Sequence, residues 1–171
     1  MVKKVESMPY QEAWEKLQQD YFVAMGVLYR YLKDTYGEQG LIDYLNKVEI
    51  DRFRKYFKAF RTSLGSILEK VAPGKMFERE ARELAREFQF FLGVDNIEML
   101  ELNSKKGVAR VKECPYARAN STAPEEVRTE REIYCKYQCG VYIKGICEQV
   151  LGIGISFEPK GVECIYRVEG I

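Results

Sequence analysis

The stretch IEMLELNSKKGVARVKEC, residues 97–114, marks the change from helical to strand periodicity in this chain. Apolar and polar residues alternate on both sides of NSKKG, as they do where every second side chain of a strand faces a core. The loop NSKKG also places a glycine where a short turn can require a positive φ. Residues 97–114 are therefore predicted to form a β-hairpin.

A second pair of alternating segments follows near the end of the sequence. ISFEP (residues 155–159) and VECIYRV (residues 162–168) are linked through the turn-forming residues PKG, which predicts a second hairpin. Two hairpins most simply join as one four-stranded antiparallel sheet, with its inner face covered by helices. The predicted fold class is α+β.

The first helix is predicted to run from Pro9 to about Tyr36, with Gly37 as its C-terminal cap. Its apolar residues recur at alternating three- and four-residue steps, which is nearly the spacing of a coiled-coil seam. These residues are Trp14, Leu17, Tyr21, Met25, Leu28, Leu32 and Tyr36. The seam is expected to pack against a helix of the same chain or against a second copy in a homodimer.

Further helices are predicted on both sides of the first hairpin. A short helix covers residues 38–48, Asp51 caps a longer one that reaches about Val71, and another extends from about Lys75 to Leu92.

Between the hairpins, PYARANSTAPEE (residues 115–126) is interpreted as a loop. A fifth helix is predicted from about Pro124 to Leu151, with Thr122 as its cap.

Length and charge bound the class of protein. The 171 residues suffice for a single domain with a helical part (1–93) and a ββαββ part (94–171). Lys plus Arg number 27 against 26 Asp plus Glu, so no net field draws nucleic acid or an anionic membrane. The basic, aromatic run at residues 51–61 is interpreted as core and solvated charge.

The sequence has no long apolar run and no apolar leader, which predicts a cytoplasmic protein without a membrane span.

The sequence contains no histidine, so the commonest general base and the commonest zinc ligand are both missing. Any chemistry has to use Cys, Asp, Glu, Lys, Tyr or Arg. The five cysteines are an odd number without a secretory signal, which predicts reduced thiols rather than a disulfide framework.

The segment IYCKYQCGVYIKGIC, residues 133–147, holds three of the five cysteines. On a helix, Cys135 and Cys139 share one face, whereas Cys147 lies about 80° further round. Cys114 ends the first hairpin and Cys164 lies in the last strand, so both can approach this helix if it packs across the sheet. The four thiols are interpreted as plain packing or a disulfide, as a zinc or iron–sulfur site, or as a reactive nucleophile.

Two glycines and four tyrosines on or near the cysteine-bearing helix fit either the wall of a ligand pocket or plain packing in the core. Gly140 and Gly145 lie in the middle of this helix, where glycine costs about 1 kcal/mol relative to alanine unless close packing or ligand volume requires it. Tyrosine supplies an apolar body with a polar tip. The predicted ligand-binding residues are Tyr134, Tyr137, Gly140, Tyr142 and Tyr166.

Residues 134–168, YCKYQCGVYIKGICEQVLGIGISFEPKGVECIYRV, resemble the C-terminal half of the 4-vinyl-reductase-like domain, a predicted hydrocarbon-binding domain. The shared pattern is a cysteine-bearing helix with glycine in its middle, a strand, a turn with Gly161, and an ending of Cys164 and Tyr166. The family usually has a further cysteine just before that turn glycine, where this chain reads FEPKG. With LYRYLKDTYGEQG and ECPY, the stretch also resembles L-2-amino-thiazoline-4-carboxylic acid hydrolase-like proteins.

The resemblance implies a fold related to haem NO-binding domains and transport-particle subunits, often dimeric through N-terminal helices. It also implies a pocket between the sheet and its helices. The first functional prediction is accordingly a binding or sensory domain for a small hydrophobic or heterocyclic ligand.

Two alternatives stay open. One is a hydrolase of a small cyclic thio-compound, with Cys114 or Cys135 as nucleophile. Its assisting residues would be Arg118, Arg128 or Arg131, with Glu132 or Glu163 as base. The other is a metal or redox switch that uses Cys114, Cys135, Cys139 and Cys164.

Overall fold

The computed structural model describes residues 9–60 and 73–170. This part of the chain is α+β, with helices packed on a four-stranded antiparallel sheet, and the predicted fold class is confirmed. In chain order the elements are α1 (Tyr10–Tyr44), α2 (Asp51–Phe60), α3 (Pro73–Leu92), β1 (Ile97–Leu102), β2 (Lys106–Val111), α4 (Pro115–Thr122), α5 (residues 131–151), β3 (Ile153–Lys160) and β4 (Glu163–Gly170).

Both predicted hairpins are present, and they join through β2 and β4 to give the strand order β1-β2-β4-β3. Ala109 lies opposite Tyr166, which in turn lies opposite Phe157. Directly paired residues point to the same face of a sheet. These three residues therefore belong to one inner face, which also carries Val111 and Cys164.

The two faces of the sheet differ in character because side chains alternate along each strand. On the inner face, α3 packs over β1, β2 and β4, while α5 packs on β3. The outer face carries ion pairs between neighbouring strands. They join Arg110 to Glu98 (2.5 Å), Arg167 to Glu158 (2.6 Å) and Lys106 to Glu101 (2.8 Å).

The helical direction changes at Gly37, whose backbone lies at φ 74° and ψ 174°, so the predicted end of the first helix is confirmed. The chain re-enters helical geometry at once and continues through the π-helical turn Leu45–Ile50 into α2. Asp51 has helical backbone angles, so the prediction that it caps a new helix is wrong. The predicted end near Val71 lies outside the described residues.

The segment predicted as a loop contains α4, and that prediction is wrong. Pro115 occupies the start of this helix, where its missing N–H costs nothing. Ala119 and Tyr116 are buried together with Phe22 of α1. Packing against α1 therefore stabilises a helix that its polar residues disfavour in isolation.

Helix α5 begins at Arg131 rather than near Pro124, so the predicted start is also wrong. The hydroxyl of Thr122 donates to the carbonyl of Ala119 instead of capping α5. The Asn120 amide bonds to both backbone groups of Thr129. These contacts hold the chain before α5 outside α-helical geometry, and Glu125–Val127 form a short 3-10 helix there.

The middle of α5, Tyr134–Ile143, is π-helical. In a π-helix the backbone hydrogen bonds join residues five apart, so such residues lie on the same side of the helix. Tyr134 and Cys139, five residues apart, accordingly enter the same apolar cluster with Phe22. The rotation of 100° per residue of an α-helix, by which the cysteines were placed around the helix from the sequence, does not apply to this π-helical segment.

Candidate functional site

Four of the five cysteines come together from three parts of the fold. Cys114 lies between β2 and α4, and its N–H donates to the carbonyl of Val162 at 2.8 Å. Cys164 lies on β4 opposite Val111, the last residue of β2. Cys135 and Cys139 lie on α5. The end of β2, the start of β4 and the first half of α5 thus position the four thiols.

Exposure to solvent separates one of these thiols from the others. Cys114, Cys139 and Cys164 are buried, whereas Cys135 is partly exposed. All five cysteines, including the fully buried Cys147, are free thiols. Within the cluster, Cys135 is therefore the thiol that a reagent from solvent reaches first.

The four thiols are close enough to affect one another's ionisation. Burial raises the pKa of Cys139 well above its usual value, and the charges of Cys135, Cys114 and Cys164 raise it further. Burial also raises the pKa of Cys164 to about 11, with added effects of Cys114 and Cys135. We refer to Cys114, Cys135, Cys139 and Cys164 as the thiol cluster.

Arg131 is the cation of the thiol cluster. Burial raises the pKa of the Cys135 thiol, and the positive charge of Arg131 opposes this rise. The guanidinium also donates to the carbonyl oxygens of Gly161 and Glu163, the latter at 3.2 Å. Its Nε–H is buried without a hydrogen-bond acceptor. The same side chain therefore connects the thiols to the β3–β4 turn.

The other predicted assisting residues make different contacts. Arg128 donates from Nε to the carbonyl of Ala123 at 2.9 Å, and Arg118 forms an exposed ion pair with Glu113 at 3.9 Å. Glu132 is exposed. Of the three arginines that the sequence offered, Arg131 is thus the one that acts on Cys135.

Two of the predicted ligand-binding tyrosines are core residues in this structure. Tyr134 and Tyr137 each expose only 1% of their surface, which leaves no room for a ligand beside them. The Tyr134 hydroxyl donates to the carbonyl of Phe22 at 3.1 Å, and its ring stacks on Tyr116 at 4.9 Å. Tyr137 packs edge-on against Tyr29. A role for either in ligand binding stays a prediction that requires these side chains to move.

The other three predicted ligand-binding residues lie apart from one another. Tyr166 contacts Phe157 edge-on and borders an apolar crevice of about 20 Å³ between α3 and the sheet. That volume is close to the space of one water molecule. Tyr142 is partly exposed near Tyr44, and Gly140 is exposed on α5. The five residues do not line one common chamber.

Sequence reasoning missed Tyr116 and Gln138, which organise the core beside the thiol cluster. Tyr116 lies between the rings of Phe22 and Tyr134. Gln138 is buried and accepts a hydrogen bond from the Tyr29 hydroxyl. The presence of a glutamine among the apolar residues of α5 was the feature of the sequence that pointed to a buried hydrogen bond such as the one between Tyr29 and Gln138.

A metal site is not assembled by the described residues. No group of three or more Cys, Asp or Glu side chains within residues 9–60 and 73–170 is arranged to hold a metal ion. A zinc ion requires its sulfur ligands about 2.3 Å from one common point. Proximity alone therefore does not turn Cys114, Cys135, Cys139 and Cys164 into the predicted zinc or iron–sulfur ligand set.

Comparison with known proteins finds no matching family model, curated protein or solved structure. The resemblance to 4-vinyl-reductase-like domains stays a prediction drawn from the residues. No helix in the described part of the chain combines the length and apolar character that crossing a bilayer requires.

Proposed function

We propose that this protein is a thiol-based redox switch in which the thiol cluster is the reacting group. The observation that carries the proposal is the placement of four free thiols from three elements, of which only Cys135 is partly exposed and three are affected by the charge of Arg131. A set of buried free thiols suits a reducing compartment, which agrees with the cytoplasmic location that we also propose.

The reaction is thiol–disulfide exchange with a small disulfide. The Cys135 thiolate attacks one sulfur of the disulfide R–S–S–R, forms a mixed disulfide and releases one thiolate RS⁻. A second protein thiolate then attacks the sulfur of Cys135 and displaces the other RS⁻. Two protein thiols are oxidised to a disulfide, the small disulfide is reduced to two thiols, and the two protons pass to the released thiolates.

We assign Cys114 as the second thiol of this pair. The charge of Cys114 raises the pKa of Cys135, and it also acts on Cys139 and Cys164. Its backbone is held by Val162 of the β3–β4 turn. Arg131 is held by the same turn, so oxidation of this pair changes a contact between α5 and the sheet.

Incubation of the whole chain with excess oxidised glutathione is expected to yield one internal disulfide between Cys135 and Cys114. We expect the intact mass to fall by two hydrogen atoms and peptide mapping to join these two residues. The reaction should accelerate with rising pH because the thiolate is the attacking species and burial raises the pKa of Cys135.

Single substitutions distinguish this assignment from general thiol oxidation. Cys135→Ser should block the internal disulfide, and Cys114→Ser should stop the reaction at the Cys135–glutathione mixed disulfide. Cys147→Ala is the matched control, because Cys147 is fully buried outside the thiol cluster, and it should leave the product unchanged. A folded protein that stays fully reduced, or that pairs other cysteines, contradicts the proposal.

The hydrolase alternative gains no comparable support. A hydrolase needs a general base in addition to the thiolate, and the predicted base Glu132 is exposed to solvent. The ligand-binding prediction likewise lacks a common chamber among its five residues. We therefore place redox exchange ahead of both.

We also propose that a second copy of the chain packs on α1 in a homodimer. Two seam residues of the sequence prediction, Met25 and Leu32, pack internally against the cluster around Tyr29. A stripe that shares Leu17 and Tyr21 with the predicted seam is exposed on α1 at seven-residue intervals. Its members are Tyr10, Leu17, Ala24 and Tyr31, with Tyr21 beside them.

A seven-residue spacing is the repeat by which one helix pairs with an identical helix. Leu17 and Tyr31 are 59% and 58% exposed, so both are available for such a contact. A twofold axis would place the same stripe on both sides of the interface.

Light scattering coupled to size exclusion is expected to give the mass of a dimer for the native chain. The double substitution Leu17→Glu and Tyr31→Glu should give a monomer, because it places charges at the centre of the interface. Lys33→Glu, on an exposed position of the same helix outside the stripe, should leave the dimer intact. A native monomer at micromolar concentration contradicts this part of the proposal.

A further inference from the structure

A groove of about 320 Å³ lies between the first turns of α1 and helix α4. This volume is at the lower end of the range for small-molecule sites in proteins, roughly 300–1,000 Å³. The groove lies on a different part of the surface from the predicted pocket between sheet and α5. Neither the thiol exchange nor the dimer stripe uses it.

The floor of the groove is apolar, and hydrogen bonds fix polar residues of its lining. Phe22, Pro115 and Ala119 are buried and form the floor. Gln19 of the lining donates to the Thr122 hydroxyl at 2.6 Å. Asn96 exchanges two hydrogen bonds with the backbone of Glu113, both 2.8 Å long. An apolar floor with a fixed polar rim is the usual form of a small-molecule site.

The charges at the rim favour a cation. The α1 wall presents Glu12 and Glu15, which are three residues apart and therefore on one side of the helix. Within residues 9–60 and 73–170, neither is matched by an ion pair. The two cations of the rim already have acidic neighbours, since Lys16 pairs with Asp20 at 3.3 Å and Arg118 with Glu113 at 3.9 Å.

We propose that this groove binds a small organic cation, a primary ammonium group on an apolar body about the size of one ring. The body lies on Phe22, Pro115 and Ala119, and the ammonium group faces Glu12 and Glu15. The floor residues Phe22 and Ala119 belong to the same apolar cluster as Cys114 and Cys139. A bound cation therefore stabilises the side of the core on which the thiol cluster rests.

Calorimetry and amide chemical-shift mapping with 2-phenylethylammonium test this site on the whole chain. For a ligand of this size we expect a dissociation constant on the order of 1 mM, with shifts centred on Gln19, Ala119 and Thr122. Phenylacetate, which has the same ring and the opposite charge, should bind at least about tenfold more weakly. Added salt should weaken binding of the cation.

The double substitution Glu12→Gln and Glu15→Gln is expected to weaken binding of the cation about tenfold, because it removes two partly solvated charge pairs. Asp34→Asn is the matched control, because it removes an exposed carboxylate from the same helix outside the groove. Equal affinity for phenylacetate, shifts centred elsewhere, or no saturable binding overturns the proposal. A site that binds only a basic peptide, with no affinity for the small cation, overturns it as well. None of these results bears on the disulfide between Cys135 and Cys114, which is measured separately.

Discussion

Replacing Gly26 with alanine is expected to lower the free energy of unfolding by about 3 kcal/mol, the upper part of the usual range for overpacking a core. Gly26 is buried in α1 against Tyr134 and Thr129. A Cβ atom there would lie 2.5 Å from Cζ of Tyr134 and 2.9 Å from Oγ1 of Thr129. Tyr134 is too closely packed to move aside, so either α1 or α5 has to shift. Urea unfolding followed by circular dichroism measures the change.

A double-mutant cycle ties this loss to one contact. Tyr134→Phe removes the hydroxyl that the new methyl group meets. The losses in free energy of unfolding of the two single variants should therefore sum to more than the loss of the double variant. Gly140→Ala is the matched control, because it alters an exposed helical glycine and should change stability by no more than about 1 kcal/mol. A Gly26→Ala variant as stable as the native chain would show that the α1–α5 contact is loose.

The protein is expected to lose stability steeply between about pH 9 and pH 12. Burial raises the pKa of Cys147 and of Tyr142 to about 12 each, and it raises the pKa of Tyr29, Tyr116 and Tyr166 well above the usual value of tyrosine. In the unfolded chain these groups release their protons from about pH 9 to pH 10 upward. The unfolded state is therefore the more deprotonated one in this interval, and rising pH favours it.

The size of the effect follows from the number of protons involved. Each such group lowers the free energy of unfolding by up to about 1.4 kcal/mol per pH unit, so Cys147 alone accounts for about 4 kcal/mol by pH 12. Below about pH 8 these groups are protonated in both the folded and the unfolded state, so they do not make the free energy of unfolding depend on pH. The chain also contains no histidine, so stability should be nearly flat between about pH 6 and pH 8.

Urea titrations in the presence of reductant at about pH 7, 9 and 10.5 measure this dependence. Cys147→Ala should be less stable at neutral pH because it leaves a small cavity. Its slope above pH 9 should nevertheless be shallower, because one group with a raised pKa is gone. An unchanged slope would mean that Cys147 ionises in the folded protein as easily as in the unfolded chain.

Local features of the sequence were sufficient for the elements that depend on neighbouring residues. Strand alternation around NSKKG and PKG predicted both hairpins, and Gly37 predicted the break in α1. These predictions succeed because alternation and turn residues act within a few positions along the chain. Composition added a further restriction, because a chain with five cysteines and no histidine has few side chains suited to proton transfer or metal binding near neutral pH.

Contacts between segments distant in sequence decided the rest. Helix α4 forms because Tyr116 and Ala119 pack on α1, although its own residues are typical of a loop. The burial of Cys139 but not Cys135, four residues apart on one helix, depends on how the π-helical turn of α5 meets α1 and the sheet. Tyr134, one of the four tyrosines predicted to bind a ligand, lies in the core because Gly26 of α1 leaves room for its ring.

Composition and periodicity determined by themselves the α+β class, the two hairpins and a late helix that holds three cysteines. Only the tertiary structure decided which thiol reaches solvent, which arginine acts on it, and where an open groove remains. The physical reason is that backbone geometry follows short-range patterns, whereas burial, electrostatics and cavity shape arise from residues about a hundred positions apart, such as Phe22 and Tyr134.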